Sequence, residues 1–161
     1  MTRNLHSLSK ILAAFTVVFF PTILAAQDIG QSGMVQIESS WARASVGTMR
    51  PTAAYLKLHN NGSQTIVLKA IRSEIAGQIS MHQTAVNAEG ISTMRPVKNL
   101  QIRPGETFDF EPGSFHVMLM ELQQPLVRGE SMPLTLIFGD ASEKTIEVPI
   151  LSIGARNRGD E

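Results

Sequence analysis

At 161 residues, 43% of them hydrophobic and 17% charged, the chain is long enough to bury a core and too apolar to remain disordered. Its 14 basic residues balance 14 acidic ones, so it lacks the cationic excess that nucleic-acid binding draws on. It contains no cysteine, which excludes disulfides, zinc–thiolate sites and blue-copper centres.

The chain opens on a segment with its own logic. Arg3 and Lys10 precede an apolar run over residues 11–24, and the small residues Ala25 and Ala26 close it before Gln27, so residues 1–26 read as a secretory signal peptide. The run is short for a membrane span and is interrupted by Thr16, Pro21 and Thr22, so no stable membrane insertion is expected after cleavage. An uncleaved anchor would change tethering but not chemistry. No cysteine follows the run to carry a lipid. Loss of Arg3 and Lys10 leaves 12 basic against 14 acidic residues, a mature chain slightly on the acidic side.

From there the pattern is one short strand after another. Residues 34–44, 53–60, 64–73, 78–86, 91–97, 107–110, 115–122, 132–138 and 144–151 are rich in β-branched or large apolar side chains. Turn residues punctuate them at Asn60-Asn61-Gly62, Glu89-Gly90, Arg103-Pro104-Gly105, Glu111-Pro112-Gly113-Ser114 and Gly139-Asp140. No amphipathic helix of three turns is visible, and the spacing predicts one all-β domain over residues 27–151, an antiparallel sandwich or barrel. The polar stretch 152–161 reads as a flexible C-terminal tail. Trp41 and Tyr55, the single Trp and Tyr, read as packing residues, and His59 as a solvated strand-end residue beside a turn.

Chemistry concentrates between Met81 and Met120. If 78–86 and 91–97 form a hairpin turning near Ala88 and Glu89, His82 and Met94 lie opposite one another or one register step away. On the strand 115–122, alternation puts Phe115, Val117 and Leu119 on one face and His116, Met118 and Met120 on the other. The preceding Pro-Gly turn places His116 near the mouth of that strand, where loops expose groups to a partner. A thioether is neutral, polarizable and soft, and an imidazole is borderline. Together, without carboxylate or thiolate, they suit Cu(I) better than Zn(II), Mg(II) or Ca(II). Met120 lies further along the strand and reads as packing, as each of these residues would if taken singly.

The spacing His82, eleven residues, Met94, twenty-one residues, His116-Val117-Met118 resembles the signature of the PCu(A)C family of periplasmic copper chaperones. So do Trp41-Ala42-Arg43-Ala44, Ala53-Ala54-Tyr55-Leu56, Met94-Arg95-Pro96-Val97 and the run Pro112 through Met120. The resemblance implies a cupredoxin-like Greek-key β-sandwich in the periplasm that binds one Cu(I) through His82, Met94, His116 and Met118. It also implies delivery of copper to the copper-bearing subunit of cytochrome c oxidase, in cooperation with a Sco-type protein. Two features depart from the family pattern: Gln83 follows His82 where the family often has Met, and the tail 153–161 holds no His or Met for a second, Cu(II) site. The alternatives are a metal-free exported protein-binding sandwich, a copper buffer, or a copper enzyme. The last is weakest, because no nucleophile or metalloprotease motif is present.

Overall fold

The computed structural model describes residues 30–159, so the expected signal peptide and its cleavage position lie outside the described residues. One helical turn, α1 (Gln31–Met34), leads into ten strands. These are β1 (Val35–Arg43), β2 (Thr52–Asn60), β3 (Ile66–Arg72), β4 (Ala76–Val86), β5 (Ser92–Val97), β6 (Leu100–Ile102), β7 (Thr107–Asp109), β8 (Phe115–Leu122), β9 (Ser131–Phe138) and β10 (Glu143–Leu151). Every strand expected from the pattern is present. The sequence reading missed α1 and β6, a four-residue turn and a three-residue strand that are too short to show a period.

The strands run β5-β4-β8-β2-β1 across one sheet, with β7 extending the β2 edge beyond β8, and β10-β9-β3-β6 across the other. The sheets join where β1 pairs in parallel with β10, Ala42 beside Ile150; every other pairing is antiparallel. The chain crosses between sheets from β2 to β3 and back from β3 to β4, giving the expected cupredoxin-like Greek-key sandwich. Leu56, Leu58, Val117 and Leu119 of the first sheet share a continuous core with Leu68, Leu134, Leu136 and Phe138 of the second. Because side chains alternate along a strand, burying Val117 and Leu119 turns His116 and Met118 to the outer face.

That outer face is covered at one end. Trp41 and Tyr55 pair across β1 and β2 with ring centres 4.3 Å apart, and Leu151 and Ala155 pack with them in a second apolar cluster. One residue of the expected tail packs here. Ala155 is only 1% exposed, and its carbonyl accepts a 2.8 Å hydrogen bond from Arg43 Nε. The tail's polarity concealed one small apolar residue that fits beneath an arginine. The same guanidinium lies 5.5 Å from the Tyr55 ring centre. Burial pushes the Tyr55 phenol pKa up, and the Arg43 charge partly offsets that rise.

Candidate metal centre

The site is prepared by the turn before β8. Ser114 N donates to Glu111 O at 3.1 Å, and Gly113 has φ +87°, which makes Glu111–Pro112–Gly113–Ser114 a type II turn with Pro and Gly at its two central positions. Phe108, Phe110 and Phe115 lock its flanks, with edge-to-face ring centres 5.1 and 4.9 Å apart. His116 follows at once. A Cβ at Gly113 would meet no atom within 4 Å, so the constraint there is backbone conformation, not space. Gly113→Ala is expected to cost about 1–2 kcal/mol of stability, the penalty of a left-handed L-residue, as a lowered denaturation midpoint would show.

The decisive pairing is between β4 and β8, which sets His82 directly opposite His116. Their ring centres are 5.8 Å apart and the planes nearly perpendicular, at 72°. His116 is 8% exposed, more enclosed than its place at the mouth of β8 suggests. Its Nδ1 lies 3.3 Å from Ser114 O, a weak contact that favours an Nδ1–H tautomer and leaves Nε2 with its lone pair free. In His82 the situation is reversed. Nε2 lies 3.4 Å from Ser80 Oγ, while Nδ1 is buried with no hydrogen-bond partner. Burial, and then the neighbouring His116, push the His82 pKa below the ordinary imidazole value, which favours the neutral ring.

Met118 lies one step further along the same face, opposite Ser80 of β4 and Ala53 of β2. Met94 is offset along the hairpin from His82, the second of the two expected placements, not directly opposite it. It pairs with Thr84, while His82 pairs with Pro96. The reason is the loop: Asn87 N donates to Ile91 O, and Asn87 Oδ1 accepts from both Glu89 N and Ile91 N, which centres the hairpin on Glu89. The shift preserves parity, so Met94 remains on the face of His82 as its diagonal neighbour. Met94, His116 and Met118 line one open cleft of about 410 Å³, walled by the 44–51 segment. Thr84, Tyr55, Arg43 and Arg50 also line it. Sequence reasoning did not place them there, because they come from β1, the 44–51 segment, β2 and β4, which only the non-local strand pairings bring together.

Residues 35–150 match the family model described as "Putative lipoprotein LpqE-like", most of the chain. The chain belongs to this family, which is of PCu(A)C type. A "Putative lipoprotein Lxx21020" of Leifsonia xyli subsp. xyli is 34% identical over 135 residues, covering 83% of this chain and 80% of the relative. Among solved structures, the apo PCuAC domain from PmoF1 is 27% identical with a TM-score of 0.62, covering 75% of this chain and 96% of that one. The Cu(I) form of DR1885 from Deinococcus radiodurans is 27% identical with a TM-score of 0.61, covering 83% and 87%.

In this PCu(A)C domain the donor chemistry is selective. Among the described residues no group of three or more His, Cys, Asp or Glu side chains is placed to hold a metal. No carboxylate lines the cleft either, which leaves a hard cation without anionic donors. Imidazoles and thioethers are neutral donors suited to a soft monovalent ion; Met94, His116 and Met118 line the cleft, while His82, opposite His116, does not line it and carries a buried Nδ1 without a hydrogen-bond partner. Met81 faces the core, 4% exposed, and Met120 lies opposite Gln78 outside the cleft. The orphaned nitrogen leads to a trade-off. His82→Leu is expected to raise metal-free stability by about 1 kcal/mol, because it removes a buried unsatisfied group. Chemical denaturation of the metal-free protein would measure this, and a destabilised variant would refute it.

Proposed function

We propose that this PCu(A)C protein is an exported, periplasmic Cu(I) carrier, not an enzyme, with His82, Met94, His116 and Met118 as its ligands. Copper here is cargo. The reading rests chiefly on the opposed His82–His116 pair, one nitrogen of which is buried without a partner, on a face that also carries two thioethers. The Cu(I) form of the related DR1885 protein and the family membership support it. Neutral donors leave the bound ion with its own single charge and hold it through soft, exchangeable bonds. Met94, 58% exposed on the outermost strand of its sheet, is the ligand most open to replacement by a partner's donor. The proposed recipient is the copper-bearing subunit of cytochrome c oxidase during its assembly, with a Sco-type protein as co-worker.

The test is a Cu(I) competition titration against a chromophoric chelator, followed by mixing the loaded protein with the copper-free soluble domain of that oxidase subunit. One equivalent bound and passed on is the expected result. Copper bound but retained would make the protein a buffer, and no binding at all would leave a metal-free protein-binding sandwich.

A further inference from the structure

The described chain has seven methionines, and two of them stand in solvent. Met94 is accounted for above. Met49 is 93% exposed, the most exposed large apolar side chain described, and packing cannot account for it. It sits on the 44–51 segment, whose members Val46, Arg50 and Pro51 line the same cleft as Met94, His116 and Met118. Met49 itself does not line the cleft, but it immediately precedes Arg50 and Pro51, which do, so it stands in solvent next to the cleft wall and outside the resting donor set.

Hydrogen bonds tie this segment at its ends, and Ser45 Oγ also donates to Gly47 O at 2.7 Å, so Met49 is carried on a defined turn. Ser45 N donates to Leu126 O at 3.0 Å, Leu126 N donates to Ser45 Oγ at 2.9 Å, and Thr52 Oγ1 donates to Arg43 O at 3.0 Å. At the tip, Gly47 has φ +66° and open space around it. A thioether displayed in this way keeps a donor near the mouth without closing the cleft.

Building on the carrier reading above, we infer that Met49 Sδ is an exchange donor through which Cu(I) enters and leaves. In the step, the Cu–Sδ bond to Met49 forms as the Cu–Sδ bond to Met94 breaks, and an incoming donor then displaces Met49. The ion stays Cu(I), no proton moves, and one neutral sulfur replaces another, so the charge of the site is constant throughout. The ion therefore keeps its number of donors while Met49 stands in for Met94. A group that acts only in this exchange lowers the barrier equally in both directions and leaves the equilibrium affinity where it was.

Met49→Leu tests this directly, because it deletes the sulfur and keeps the apolar surface. Stopped-flow mixing of the purified protein with Cu(I)–bicinchoninate, and of loaded protein with excess bicinchoninate, gives uptake and release rates. In the variant both rates are expected to fall about tenfold together, with stoichiometry and competition affinity unchanged. Unchanged rates in a variant that still binds Cu(I) would overturn the inference. So would a loss of affinity as large as the loss of rate, which would make Met49 a resting ligand. A wild-type protein that takes up no Cu(I) would overturn the carrier reading itself and the exchange step with it, an outcome separate from either variant result.

Discussion

His116→Ala is expected to lower Cu(I) affinity by at least about a hundredfold, since loss of an outer-shell partner alone costs about 10–100-fold in metal sites and His116 is a proposed ligand. The fold should survive. His116 borders an open cleft, and the core under β8 is carried by Val117 and Leu119 on the opposite face. Water can fill the space the ring leaves, so the large cavity cost of a core truncation does not apply. His82→Ala should have a comparable effect, because the two rings face each other across one strand pair and neither can reposition without moving the register. Met120→Leu, outside the cleft on the same strand, should leave affinity unchanged. Competition titration of the three variants, with circular dichroism to confirm the fold, checks the set. Unchanged affinity in both histidine variants would remove the proposed site, and lost affinity in Met120→Leu would show that its boundary is drawn wrongly.

The legible part of this site was local. Alternation along β8 placed His116 and Met118 together on the face opposite Val117 and Leu119, because burial of one set dictates the other. The strands themselves followed from β-branched runs between turn residues. The His82–His116 opposition, by contrast, depends on β4 lying beside β8, strands separated by β5, β6 and β7 in sequence. No local pattern encodes that adjacency, since the sheet order is set by how the whole core closes. The Met94 register was half legible: the hairpin was visible, but its centre depended on the side chain of Asn87 capping the loop. The packing of Ala155 was not legible, because one buried alanine among glycines and arginines leaves no periodic trace.

Acidification is the second large effect. Each imidazole that binds the ion must first be neutral, so below its pKa each ligand costs affinity up to about tenfold per pH unit. For His82, burial first and the neighbouring His116 second hold the pKa below the ordinary 6.5, so protons compete for this ring only at lower pH than they would for a free imidazole. The His82 donor should therefore stay available to lower pH than a free imidazole would, and further acidification should release the copper. The sign for the metal-free fold follows from the same shift. As pH falls below 6.5, the unfolded chain takes up a proton on this histidine before the folded chain does. The stability associated with neutral His82 is present above that pH and is lost as pH falls towards the lowered folded value. Titrating Cu(I) affinity between about pH 7 and pH 4, with parallel melts of the metal-free protein, checks both. His82→Leu provides the internal comparison, because a chain without that ring should lose less stability over the same range. A copper affinity that stayed flat to the acid end would exclude both imidazoles as ligands.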